Sequence, residues 1–217
     1  MSPDRALDIY LIVLRNGRIA LFSPSDSLAT FEAESDDKFR RAIAWLVARP
    51  WRVVAWFGRV LQSGHGYYLR FEARIDPLER VLKAMASARR FRVVHSPAWT
   101  AETALKQVQS KVRGQGIKHA FWAVLDLLVS AGALALAFIP GPNVVGWYPF
   151  LRALSHYRAF RGTRAGLASS EIEFKCLPEL GSLEENLQTS SFDRARVHAV
   201  AEDLKISGLQ QFLERMV

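Results

Sequence analysis

The residues best suited to chemistry cluster in and around one apolar run. Residues 121–143 read FWAVLDLLVSAGALALAFIPGPN, and a carboxylate, Asp126, sits inside the run. His119, the neighbours Trp122 and Ala123, Asp126, Ser130, Ala133 and Ala137 recur at helical spacings of three or four, so on a helix they share one face, polar toward one end and small toward the other. His156 lies on the far side of the run. An aspartate in such a setting can bind a cation or a proton, and an imidazole carries a proton near neutral pH, so Asp126, His119, Ser130 and His156 are the candidates for ion or proton binding. A structural hydrogen bond is the competing use of each.

The element that must position them is a long helix. Ala120 to Ile139 would extend roughly 30 Å, the thickness of a bilayer's hydrocarbon core. A soluble helix that is apolar all round must be enclosed on every side, and a chain of 217 residues has little material for that. The spacing therefore predicts a membrane-inserted segment, with a buried soluble helix as the alternative. Pro140, Gly141, Pro142 and Asn143 must break the helix, and a second apolar stretch that turns basic follows. Lys106, Lys111, Arg113 and Lys118 precede the apolar region, and Arg152, Arg158, Arg161 and Arg164 follow it. Positive charge on both flanks fits a helical hairpin that returns to its starting side. In a hairpin centred near Pro142, Asp126 would be level with Arg158 and close to His156. The expectation is an Asp126–Arg158 pair, the alternative being a carboxylate that reaches the head-group region. Small residues on the same face would let the second arm approach closely.

The segment IPGPNVVGWYPFLRALSHYRAFRG resembles the motif of the mitochondrial K+/H+ exchange-related family: a Pro-Asn element, an apolar aromatic stretch, an Arg, and a Ser-His-Tyr-Arg-Ala run closing on a Gly. The corresponding residues are Pro142, Asn143, Arg152, Ser155, His156, Tyr157, Arg158, Ala159 and Gly162. EIEFKCLPEL and the last helix around VAEDLKISGLQQFLERM also resemble the family's ending. The likeness covers the C-terminal half well and the N-terminal half loosely. It implies a membrane protein linked to potassium/proton exchange, antiport-related, within an oligomer or a membrane-protein complex. The expected location is a membrane, the bacterial inner membrane or the mitochondrial inner membrane. One hairpin cannot enclose a conduction path, so transport would require further copies or a partner.

The charge distribution offers a second function class. Residues 40 to 92 hold twelve Lys or Arg against Glu72, Asp76 and Glu79, an excess of nine in a chain whose net charge is +8. Such a block attracts polyanions or anionic lipid. Within it, WRVVAWFGRVLQ carries Val53, Val54, Phe57 and Leu61 on one helical face, and Arg49, Arg52, Trp56 and Arg59 are the candidate contacts to lipid or an acidic partner. This alternative is a membrane-anchored adaptor. Nucleic acid is not the expected partner, and a solvated basic face without a partner is the plain alternative.

Enzyme signatures are lacking. There is no phosphate loop, no His-Glu-x-x-His helix and no nucleophile elbow, and the chain is read as no enzyme, with no catalytic residues and no cofactor. The single cysteine, Cys176, allows neither an internal disulfide nor a multi-thiolate metal site. His65 reads as a loop residue, His95 and His198 show no acidic or histidine neighbour at ligand spacing, and no metal ligands are expected.

The remaining elements frame an α+β, mainly α-helical protein. β-branched residues on both sides of Asn16-Gly17 predict two strands joined by a tight turn, and the start shows neither a signal nor a transit pattern. Asp36 and Asp37 suit a helix N-terminus, with Phe39, Ile43 and Leu46 on one face and Pro50 ending it. YYLRFEARI and FRVVH read as strands, Asp76-Pro77 opens a helix through LERVLKAMASARR, and a helix capped by Ser96 or Thr100 reaches a hinge at Gly114 and Gly116. The expected organisation is a basic α+β head at 1–113, a membrane-inserted hairpin at 117–165, and a C-terminal strand and helix at 166–217 packing on the head.

Overall fold

The strand ALDIYLIV places apolar residues on both sides of its pleat, and it becomes the middle of the molecule. In the computed structural model, which describes residues 6–14, 17–51, 55, 58–59, 62, 76–135, 144–169, 171–188, 194–204 and 206–216, strand β1 (Ala6–Val13) is bordered by β2 (Ile19–Phe22) and β3 (Arg90–His95), and β4 (Ile172–Cys176) pairs with β3. The sheet order is β2-β1-β3-β4, with β2 antiparallel to β1 and the other two neighbours parallel. Successive side chains of a strand point to opposite faces. Leu7, Ile9 and Leu11 accordingly enter one core, and Ile12 and Leu14 enter another on the far side.

Helices cover both faces. The first core takes α1 (Ser25–Val47), α2 (Pro77–Met85) and the opening turns of α3 (Ala101–Ala135), through Leu28, Phe31, Val81, Leu82, Ala104, Val108 and Val112. The second takes Leu180, Leu183 and Leu187 of α5 (Pro178–Gln188) and Leu209, Phe212 and Leu213 of α7 (Leu209–Met216). Helix α6 (Arg194–Asp203) lies between these two in the chain. Each fully buried Leu contributes about 1.5–3 kcal/mol relative to exposure, so the C-terminal segment is part of the sheet's support. Glu184 of α5 fastens this layer: its carboxylate accepts Val13 N–H at 3.0 Å and Ser96 Oγ–H at 2.6 Å. The α+β, mainly helical class expected from the sequence is the class observed.

Several local expectations change. Helix α1 begins at Ser25, so Asp36 and Asp37 lie in mid-helix, and Asp37 pairs with Arg41 one turn on. The apolar residues Leu28 and Phe31 carry the helical face further back than the acid pair suggested. The strand connection spans residues 14–18 and is longer than a two-residue turn, with Gly17 at a φ of 70° and its N–H donating to the Leu14 carbonyl at 3.2 Å. Pro50 lies just past the end of α1, as its missing N–H requires. Asp76 caps α2 by accepting Leu78 N–H at 3.0 Å, with Pro77 at the first helical position. Asn16, the YYLRFEARI segment, His65 and most of WRVVAWFGRVLQ lie outside the described residues.

The expected hinge at Gly114 and Gly116 is absent, since α3 runs unbroken for 35 residues, roughly 50 Å. Thr100 caps its start by accepting Thr103 N–H at 3.2 Å. A Cβ on Gly116 would lie 2.5 Å from Thr163 Cγ2, so that glycine serves close helix packing. The partner in this contact is α4 (Val144–Ala168), which returns antiparallel to α3: Gly116 meets Thr163 near the sheet, and His119 and Asp126 meet His156 further out. The inward stripe read from the sequence is largely the contact face, with His119 and Ser130 buried, while Trp122 at its edge remains 40% exposed. On the outer side Phe121, Val124, Leu127, Leu128 and Val129 are exposed. Among the described residues no helix is long and apolar enough to cross a membrane.

Candidate functional site at the root of the hairpin

Helix α2 is amphipathic, yet its inward side carries a carboxylate and an ammonium. Glu79 and Lys83 are one turn apart, so they share a face, and they are 3% and 5% exposed. They are not left alone there because α4 lies across α2. The close approach depends on Gly162, where a Cβ would stand 1.6 Å from the Leu82 carbonyl oxygen, and on the fully buried Ala159. The approach brings Ser155 and Arg152 over the pair. Ser155 Oγ–H donates to Glu79 Oε1 at 2.6 Å, Lys83 Nζ donates to Ser155 Oγ at 2.7 Å and stands 3.3 Å from Glu79 Oε1, and Arg152 Nη1 is 3.5 Å from Glu79 Oε2.

The antiparallel register of α3 and α4 then adds the imidazoles. His119 and His156 are both buried and face each other through Nδ1 at 2.7 Å. One Nδ1 must carry a hydrogen and the other a lone pair, so a single proton lies between them. The opposite nitrogen of His156, Nε2, is 3.7 Å from Asp126 Oδ2. That oxygen is buried and, among the described residues, has no hydrogen-bond partner. The groups thus form a chain from Asp126 through His156 and His119 toward Glu79, Ser155 and Lys83. Asp126, His156, His119 and Glu79 border a cavity of about 290 Å³ whose wall also includes Trp122, Tyr148 and Arg152.

The electrostatics follow from burial and from the cations. Burial pushes the Glu79 carboxyl up, but Lys83, the Ser155 hydrogen bond and Arg152 together outweigh it and hold Glu79 below its ordinary value. Burial pushes both imidazoles down against the pull of Glu79; for His156, reinforced by Arg152, His119 and Lys83, the value falls to about 4. Both are neutral at neutral pH, which makes the Asp126–His156 approach a contact between a carboxylate and a neutral ring. Asp126 is pushed up by burial, with Arg152 opposing. The arrangement can hold, share and pass protons in a buried, structured setting, and two imidazoles with a carboxylate can also bind a metal ion.

The structure brings together His119, Asp126, Arg152, Ser155 and His156 from the sequence-derived candidates. Ser130 is on the same face, one turn beyond Asp126, and buried. Gly162 acts through packing. Tyr157 points away and is 51% exposed. The expected Asp126–Arg158 pair is replaced: the hairpin register puts His156 opposite Asp126, and the guanidinium that acts on Asp126 is that of Arg152. Pro142 and Asn143 lie outside the described residues, as do Arg52 and Trp56. Arg49 stacks on Trp45, its guanidinium carbon 3.7 Å from the ring centroid, and Arg59 is helical and exposed. Elsewhere in the basic block, Arg80 pairs with Glu32, Arg90 with Glu171, and Arg92 with Asp8 and Glu173, so tertiary partners balance charge that is unbalanced along the sequence. His198 does have an acidic neighbour, Glu202, at 3.6 Å one helical turn on.

Sequence reasoning missed Glu79 and Lys83, which it counted only as charges of the basic block. The available signal was their spacing, an acid and a base four residues apart beside Leu82 on the apolar side of LERVLKAM.

A family model described as mitochondrial K+-H+ exchange-related matches residues 9–166. The match begins inside β1, takes in β2, β3, α1, α2, α3 and all but the last two residues of α4, and stops before β4, so the likeness seen in EIEFKCLPEL and in the last helix falls outside it. No curated protein and no solved structure matches the chain.

Proposed function

We propose, from the premise that the chain belongs to the mitochondrial K+-H+ exchange-related family, that it serves cation and proton homeostasis by reversible proton exchange through the polar chain at the hairpin root. The single observation that carries the reading is the buried His119–His156 contact at 2.7 Å. It holds one proton between two neutral rings, with Asp126 at one end and the Glu79–Ser155–Lys83 group at the other. A proton delivered from the cavity to Asp126, whose affinity burial has raised, can be relayed through His156 by exchange of its two ring nitrogens. Arg152, which borders the cavity beside Glu79, disfavours positive charge on the imidazoles, so a relayed proton does not accumulate on them.

The exposed outer face of the hairpin supports attachment to a membrane surface. Phe121, Val124, Leu127, Leu128 and Val129 form an exposed apolar face on the helix that also exposes Lys118, a composition suited to a lipid interface with anionic head groups. A two-helix hairpin does not by itself enclose a path for an ion, so exchange across a membrane would be carried out with further copies or a membrane-protein partner. No catalysis of covalent chemistry is part of the proposal.

The test is cation-dependent pH change inside vesicles carrying the purified protein. A potassium gradient should drive an internal pH change that Asp126→Asn and His156→Gln reduce at least tenfold. Equal rates for wild type and both variants would overturn the relay, and equal rates with and without protein would overturn direct exchange by this chain.

A further inference from the structure

We infer that Glu79, His119 and His156 form a binding site for one divalent transition-metal ion of the zinc class. The inference concerns the same buried histidine pair as the proton relay, but it stands on the geometry of the donor atoms. One potential ligand atom from each of the three residues lies within 4.8 Å of the others. A tetrahedral zinc ion with bonds of about 2.0–2.1 Å places its ligand atoms roughly 3.4 Å apart. The two Nδ1 atoms, at 2.7 Å, would have to part by about that difference, and the carboxylate would close in. All three side chains are held by packed helices, so the adjustment is one of rotamers within a fixed frame.

Three further observations favour an ion at this place. A metal-bound histidine ordinarily donates its other ring N–H to a carboxylate, which fixes the tautomer. Asp126 stands in that position, its buried Oδ2 facing His156 Nε2 at 3.7 Å and holding no hydrogen bond of its own among the described residues. A proton on Nε2 leaves the Nδ1 lone pair of His156 aimed at His119. The carboxylate is also prepared: Oε1 of Glu79 is occupied by Ser155 at 2.6 Å and Lys83 at 3.3 Å, whereas among the described residues Oε2 has the longer 3.5 Å approach of Arg152, a side chain that borders the cavity. The cavity of about 290 Å³ provides an entry route and room for water in a fourth position. On uptake, the proton on the donor Nδ1 moves to the Nε2 of the same ring, so neutral imidazoles bind the ion without net proton release.

The donor set also predicts selectivity. Two imidazole nitrogens and one carboxylate oxygen suit zinc, cobalt or nickel, while magnesium and potassium require shells of oxygen. Lys83 and Arg152 add positive charge close by, which weakens the ion and makes it exchangeable, unlike the ion of a closed structural site.

The experiment is titration of the full chain with Co2+, read by visible absorption, together with Zn2+ titration followed by the imidazole 15N signals. The expected result is a single site whose visible band Zn2+ abolishes and a large excess of K+ or Mg2+ does not. The Nδ1 signals of His119 and His156 should shift, with His95 and His198 unchanged. The double variant His119→Gln/His156→Gln should lose the site, Asp126→Asn should weaken it about 10–100-fold, and His198→Gln should leave it intact. A wild-type protein with no band, or a band that survives the double variant and disappears in His198→Gln, overturns the assignment. Because the 15N reading is made on wild type, it decides the matter even where the double variant does not fold. Its failure is distinct from failure of the proton relay, which is read without added metal in vesicles.

Discussion

His119 and His156 are separated by 37 residues in the chain and by 2.7 Å between their Nδ1 atoms, each ring buried where α3 and α4 cross the end of α2. Burial and nearby cations keep both rings neutral, and that relationship governs how the protein should respond to pH.

Acid should destabilise the fold between about pH 6.5 and 4. The folded-state value of His156 is about 4 against an ordinary imidazole value of 6.5, so the unfolded chain takes up a proton that the folded chain refuses. Its contribution is therefore complete above the unfolded value and is lost as pH falls toward the folded one, of the order of 2 kcal/mol. His119 acts in the same direction, and Glu79, held below its ordinary value, adds to the loss at the acid end. Asp126, pushed up, opposes them. Urea unfolding at pH 7.5 and 4.5 should show the drop, and His156→Gln should reduce it; a stability that does not change over this range contradicts the neutral pair.

Gly162→Ala should destabilise by about 3 kcal/mol or more, since its Cβ would meet the Leu82 carbonyl, a backbone atom that cannot rotate aside. Gly132→Ala is the matched control: nothing lies within 4 Å of its Cβ, and alanine should stabilise the helix by about 0.5–1 kcal/mol. Thermal melts of the two variants should move in opposite directions. A Gly162→Ala protein that melts with the wild type would mean that α4 does not lie against α2.

Removing the Glu79 carboxylate should be far more harmful than removing the pair. Glu79→Ala leaves Lys83, 5% exposed, without its carboxylate at 3.3 Å, a loss of about 3–5 kcal/mol. Glu79→Leu combined with Lys83→Met should recover much of that stability while abolishing metal binding. Chemical denaturation of single and double variants gives the coupling directly; additive losses would show that the two charges do not depend on each other.

Phe121→Ser combined with Leu128→Ser should leave the melting temperature within a few degrees of wild type, because both side chains are more than half exposed. The same pair should reduce flotation with vesicles containing anionic lipid at least tenfold. Flotation equal to wild type would remove the hairpin's outer face as the membrane contact.

What the sequence determined by itself was whatever depends on neighbours along the chain. The β-branched residues of β1, the FRVVH run of β3, the Asp76-Pro77 start of α2, the polar stripe through His119, Asp126 and Ser130, and the family motif around Ser155 and His156 were all legible, because strand propensity, helix pitch and capping act within a few residues. The tertiary structure decided what depends on registers between distant segments. Antiparallel packing of α3 on α4 chose His156 rather than Arg158 as the residue facing Asp126, and Gly116 turned out to be a packing contact where local propensity suggested a hinge. Gly162 let α4 reach Glu79 and Lys83, whose charges look like ordinary surface charges until a helix more than 70 residues later covers them. Whether a polar residue is solvated or part of a buried network is settled by which backbones can approach one another, and that is a property of the whole fold.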